Sequence, residues 1–137
     1  MIAAVFDTNV VISGLLSPDG STGRVLDAMV EGLCQPVVTD RILAEYEEVL
    51  CHPKFRFPVP KIHLLLDAIR TNAIFALYVP VIHADDLPDP DDLIFLEAAI
   101  SLQVPIVTGN SKHFPRKAVG PIHVCTPAEF LAQLSVK

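Results

Sequence analysis

Two kinds of apolar pattern take turns along this chain: short unbroken runs, and stripes recurring every three or four residues. Ile2 to Phe6 is an unbroken run of β-formers that fits a strand buried on both faces. Val10 to Leu16 continues apolar, with Ser13 and Gly14 inside, until Ser17-Pro18-Asp19-Gly20 breaks it. Ser21 or Thr22 can cap a helix reaching about Gly32, with Val25, Leu26, Met29 and Val30 on one face and Gly32 as its stop. Gln35 to Thr39 reads as a second strand, and Asp40 as the N-cap of a helix from Arg41 to about Cys51, ended by His52-Pro53. Lys54 to Pro60 reads as a loop, and Lys61 to about Ala76 as an amphipathic helix. Leu77 to Ile82 reads as a strand that Pro80 confines to an edge. A polar loop from His83 to Asp92 leads into an almost wholly apolar helix through Leu102. Strands at Pro105–Thr108 and Ile122–Cys125 enclose a loop from Gly109 to Pro115, and Thr126-Pro127 opens a last helix through Leu134.

Strands alternating with helices predict an α/β fold, a three-layer α-β-α sandwich around a central parallel sheet of about five short strands. At 137 residues, 51% of them hydrophobic, the chain is expected to form a single domain with a well-filled core. No apolar run approaches the roughly 20 residues that span a bilayer. The first strand lacks a basic flank and a cleavage site, so a cytoplasmic protein without membrane association is expected. Cys34, Cys51 and Cys125 are widely spaced, with no C-x-x-C pair, and read as reduced thiols.

Polar residues interrupt the apolar plan at four places. Asp7-Thr8-Asn9 follows the first strand, where it reads equally as a turn or as a ligand site at a strand's carboxyl end. A phosphatase with a nucleophilic Asp would carry a second acid two residues on, and that position is Asn9. Glu45 and Glu47 border the apolar stripe of their helix, while Glu48 faces solvent. Asp89-Pro90-Asp91-Asp92 exceeds what one cap requires. Asp92 shares a face with Phe95, Leu96 and Ala99, so it points inward and leaves Asp89 or Asp91 to cap. Thr108-Gly109-Asn110 ends another strand, reading either as a tight turn or as groups that orient water, metal or phosphate. Glu97 is a secondary suspect, with a salt bridge its plainer explanation. The net charge of −6 opposes phosphate binding unless a cation fills a carboxylate site. Hard oxygen donors of this kind suit Mg²⁺ or Mn²⁺.

The ordered set Val-Phe-Asp-Thr-Asn-Val-Val-Ile-Ser, Ile-Leu-Ala-Glu-Tyr-Glu-Glu-Val-Leu, Asp-Pro-Asp-Asp-Leu-Ile-Phe-Leu-Glu-Ala-Ala and Ile-Val-Thr-Gly-Asn with Lys-His-Phe-Pro resembles a PIN domain. That is the nuclease domain of many toxin–antitoxin toxins, the VapC-like ribonucleases. The resemblance implies a Mg²⁺- or Mn²⁺-dependent endoribonuclease in which Asp7, Glu45 and Asp92 match the family's metal-binding acids. The fourth acid of many members is Asn110 here. Asn110 with Thr8 and Ser13 would place water or phosphate, Thr108 would support them, and Asn9 would support Asp7 or its turn. Arg24, Lys54, Arg56, Lys112, Arg116 and Lys117 are candidates for holding an RNA backbone. An antitoxin partner and a homodimer are further expectations of the resemblance. Two rivals stand beside it. One is a receiver-like domain, which would need an acidic pair near the first strand and a late-strand Lys where this chain has Thr-Gly-Asn. The other is a catalytically weak or inactive PIN-like module that binds RNA or a partner, for which Asn110 speaks.

Overall fold

The computed structural model describes residues 2–135. Its strands are β1 (Ala3–Phe6), β2 (Gln35–Val38), β3 (Ile74–Phe75), β4 (Ile106–Val107) and β5 (Val124–Cys125). They form one sheet in the order β3-β2-β1-β4-β5, parallel throughout. β1 is central, and Ala4, Val5 and Phe6 are wholly buried, as an uninterrupted apolar strand should be. Ala3 stands opposite Gln35 on one side, and Val5 and Phe6 opposite Ile106 and Val107 on the other. The chain steps outward from β1 to β3, then returns across the sheet to β4 and β5. The gap between β1 and β4 is therefore the point where strand order reverses, and it is at the carboxyl side of such a point that α/β sheets bind ligands.

The helices are α1 (Thr8–Leu16), α2 (Ser21–Val30), α3 (Asp40–Leu50), α4 (Val59–Asn72), α5 (Leu93–Leu102), α6 (Arg116–Val119) and α7 (Pro127–Ser135). The helices cover the parallel sheet on both faces, giving the three-layer α-β-α sandwich. α2 packs on α1, α4 and α7, while α5 lies against β1, β2 and β4. That position explains why α5 is apolar around nearly its whole circumference.

Several expected boundaries move, each for a local reason. Residues 10–16 belong to a helix that begins one residue after Asp7. Val10, Val11 and Ile12 are all buried, so α1 lacks the polar stripe that would have marked it as helical. The cap of α3 is Thr39, whose hydroxyl accepts from the Ile42 N–H at 3.2 Å, and Asp40 sits inside the helix. Gly20, not Ser21 or Thr22, precedes α2, and Val30 is 44% exposed rather than part of the buried face. Gly32 does end that helix, at φ +76°. α4 starts earlier and stops earlier than its stripe implied, which frees Ile74 and Phe75 to pair with Val37 and Val38 as the edge strand. Leu77 to Ile82 is irregular: Pro80 has no N–H to offer a ladder, and Leu77 and Ile82 are exposed. The final helix opens as expected. Thr126 and Glu129 form a reciprocal capping box, with contacts of 2.8 and 3.1 Å. All three cysteines are free, and burial pushes the thiols of Cys34 and Cys125 up to about 11.

Candidate active site

Asp7 stands between the last residue of β1 and the first of α1, in the N-cap position, yet its side chain caps nothing. The carboxylate is buried and instead accepts a hydrogen bond from the Thr108 hydroxyl at 2.8 Å. The Asp7 N–H donates to the Val107 carbonyl at 3.0 Å, so the register of β1 with β4 itself brings Asp7 beside Thr108. The turn reading of Asp7-Thr8-Asn9 therefore does not account for this carboxylate.

Thr8 points from α1 toward α3, where its hydroxyl donates to Glu45 Oε2 at 3.4 Å. Glu45 is half-buried, while Glu47 and Glu48 are exposed. Burial raises the Glu45 carboxyl above its ordinary range; the Thr8 hydrogen bond opposes that, and the charges of Glu48, Asp91 and Asp7 reinforce it. The next residue holds the helix in place. Tyr46, wholly buried, donates its hydroxyl to the Phe6 carbonyl at 2.5 Å and stacks on Phe95, with ring centroids 6.5 Å apart. Tyr46 thus ties α3 to the end of β1 and to α5. Its sequence signal was only that of an apolar stripe position.

Asp92 closes a 3₁₀ turn, Pro90–Asp92, that leads into α5. Asp89 is the cap, accepting from the Asp91 N–H at 2.9 Å, and this leaves Asp92 free to turn inward. Asp92 is 8% exposed, and its carboxyl is raised to about 6. Burial is the main cause and the charge of Asp7 the next, with Asp89 and Asp91 adding to it and His113 pulling the other way. Asp92 Oδ2 has no hydrogen-bond partner, and His113 Nδ1 lies 3.6 Å from it. His113 was visible in sequence only within Lys-His-Phe-Pro, without a role.

Asn110 lies beyond β4 and is exposed. Its side chain is engaged within its own turn: Oδ1 accepts from the Lys112 N–H at 3.2 Å, and Nδ2 meets His113 Nε2 at 3.1 Å. The buried partner of Asp7 is Thr108, not Asn110. Asn9 is exposed and Ser13 half-buried, and among the described residues neither makes a side-chain hydrogen bond. A β-carbon on Gly109 would meet nothing within 4 Å, so that glycine is not required for a close approach. Arg24, Lys54, Arg56, Lys112, Arg116 and Lys117 are all exposed, and only Lys112 belongs to the turn that reaches Asp92. Arg41, passed over in the sequence, lines an open groove of about 530 Å³ with Glu45, Glu48, Asp91 and Glu97. Its guanidinium is 4.0 Å from Glu97, the salt bridge expected for that glutamate.

Glu45 and Asp92 thus each feel the charge of Asp7, with Thr108 bonded to Asp7 and Thr8 to Glu45, and the three do not close into a cage. Among the described residues no three His, Cys, Asp or Glu side chains are gathered tightly enough to hold an ion by themselves. The donor chemistry nonetheless fits a hard divalent cation that keeps several waters, because the carboxyls of Glu45 and Asp92 are raised by burial and further by the charge of Asp7, and one buried oxygen of Asp92 is unpartnered.

The PIN-domain family model matches residues 3–112. The chain belongs to the PIN-domain family. The matched span holds Asp7, Glu45, Asp92 and Asn110 and ends one residue before His113. PIN domains are generally nucleases. The chain is 27% identical over 141 residues to an uncharacterized protein of Methanocaldococcus jannaschii, MJ1680, covering 96% of this chain and 91% of that one. In fold this PIN-domain chain is similar to VapBC2 from Rickettsia felis, solved bound to a DNA fragment from its promoter. The TM-score is 0.61 at 14% identity, covering 91% of this chain and 98% of the other. Among the described residues no helix is long and apolar enough to cross a membrane.

Proposed function

We propose that this PIN-domain chain is a Mg²⁺- or Mn²⁺-dependent endoribonuclease acting as the toxin of a toxin–antitoxin pair. What supports the reading is Asp7, buried at the carboxyl end of β1 where the strand order reverses, with Asp92 buried and Glu45 half-buried, both carboxyls raised by burial and by the charge of Asp7. Asp7, Glu45 and Asp92 would hold the ion, which supplies charge neutralisation for a phosphodiester and acidifies a bound water. The chain's own residues do the rest. Thr108 fixes the rotamer of Asp7, Thr8 restrains Glu45, and Tyr46 locks the helix that carries Glu45 against β1. Lys112, exposed in the turn that reaches Asp92, and Arg41, exposed in the groove with Glu45, would contact phosphates of the substrate. A single-stranded substrate suits an open groove of this kind. The reading carries with it a single domain, a cytoplasmic setting, an antitoxin protein that masks the acids, and a homodimer.

The test is cleavage of single-stranded RNA by purified protein with Mn²⁺ or Mg²⁺ against a chelator control. Wild type should cut only with metal, and Asp7→Asn and Asp92→Asn should each lose at least about 100-fold. RNA binding without cleavage in either metal would favour the second reading, a non-catalytic PIN-like module. What supports that alternative is Asn110, which replaces an acid and spends its amide within its own turn.

A further inference from the structure

The turn after β4 makes contact with two of the three acids, and its hydrogen bonds determine where one proton sits. At its start Thr108 donates to Asp7 and accepts from the Asn110 N–H at 3.1 Å. At its end His113 faces Asp92. Between them runs a chain of groups whose donor and acceptor roles follow one from another. The Lys112 backbone N–H can only donate, so the amide atom of Asn110 facing it is the oxygen. The amide nitrogen therefore faces His113 Nε2, and since that nitrogen can only donate, Nε2 must accept. A neutral His113 then carries its proton on Nδ1. Nδ1 is buried without a hydrogen-bond partner, and so is Asp92 Oδ2, 3.6 Å away. A donor and an acceptor, each shut off from water, stand opposite one another just beyond hydrogen-bond distance, a gap that a small side-chain rotation closes.

We propose that Asn110 and His113 form one positioning unit, in which the Asn110 amide selects the Nδ1–H tautomer of His113 and that N–H orients the Asp92 carboxylate. In this assignment Asn110 is not a weak substitute for a fourth acid. It sets a histidine whose N–H does for Asp92 what the Thr108 hydroxyl does for Asp7. An acid at position 110 would accept from Nε2–H instead and undo the arrangement. The proposal rests on Asp92 belonging to the site described above, but the tautomer itself requires neither metal nor nuclease activity.

Long-range ¹H–¹⁵N NMR of metal-free protein at about pH 8, above the ordinary histidine pKa of ~6.5, reads the tautomer directly. The His113 spectrum should show a bare Nε2 and a protonated Nδ1, and Asn110→Asp should abolish that pattern. A protonated Nε2 in wild type, a rapidly averaged ring, or an unchanged tautomer in Asn110→Asp would overturn the proposal. The effect on Asp92 is read by Mn²⁺ affinity. His113→Leu should bind about 10- to 100-fold more weakly, the usual cost of losing a residue that orients a ligand. His113→Asn, whose amide N–H stands near the place of Nδ1, should recover most of the loss. Equal affinity in His113→Leu and wild type, or no recovery in His113→Asn, would remove the role assigned to the Nδ1–H. Wild-type protein that takes up no Mn²⁺ would count against the nuclease reading, while the tautomer would still decide whether Asn110 and His113 act together.

Discussion

Thr108 is the single side chain on which the geometry of Asp7 most depends. Its hydroxyl is buried, donates to the carboxylate at 2.8 Å and accepts the Asn110 N–H, so Thr108→Val loses two contacts without changing shape. Chemical denaturation should show a loss of about 1–3 kcal/mol, and metal affinity should fall with it. Asp92 carries the clearest pH signature. Burial raises its carboxyl to about 6 in the folded chain, against an ordinary value near 3.9 when unfolded. The folded state therefore holds this proton more tightly than the unfolded one, and stability falls as pH rises from about 4 through about 6, then levels. In metal-free Asp92→Asn that slope should vanish, leaving the variant more stable than wild type at pH 7; a variant less stable there would contradict the assigned burial cost. Asp7, Glu45 and Asp92 were legible in sequence because strand ends, helix borders and surplus caps are positional signals. Tyr46 and His113 were not. An aromatic in an apolar stripe and a histidine in a loop declare a role only when the carbonyl or carboxylate they face comes from elsewhere in the chain.

At the scale of elements, α1, α2 and the segment joining them approach closely at two glycines. A β-carbon on Gly23 would lie 2.2 Å from the Pro18 carbonyl oxygen, and one on Gly14 would lie 2.8 Å from that of Thr22. Gly23→Ala must push α2 away from the segment joining it to α1, and thermal unfolding should show a loss of at least ~2 kcal/mol. Gly109→Ala, with nothing nearby, should leave the midpoint almost unchanged. Both glycines look alike in sequence, and only the backbone approaching from another segment separates them. The same holds for the elements that sequence patterning misplaced. α1 is buried on too many sides to show a stripe, and β3 is two residues long, defined by its pairing with β2 rather than by a pattern of its own. Long amphipathic or uniformly apolar segments such as α3, α4 and α5 were legible because ten or more residues repeat or sustain one pattern, whatever they pack against.

For the whole molecule, a net charge of −6 and crowded carboxylates at the switch point make the metal-free protein the less stable form in this account. Mn²⁺ at 100 times its dissociation constant should therefore stabilise the wild type by about 2.7 kcal/mol, seen as a higher unfolding midpoint, and should do much less for Asp7→Asn. The pairing of β1 with β4 sets Thr108 beside Asp7, and the Tyr46 bond to the Phe6 carbonyl holds α3, with Glu45, against the end of β1; the proposed function requires that Asp92 converge there as well. A crystal soaked in Mn²⁺ and measured for anomalous scattering tests it most directly. The account predicts a manganese peak touching carboxylate oxygens of Asp7 and Asp92, with Glu45 reaching it directly or through water. A fully exchanged crystal with no peak there, or with manganese bound only at other acids of the surface, would contradict it.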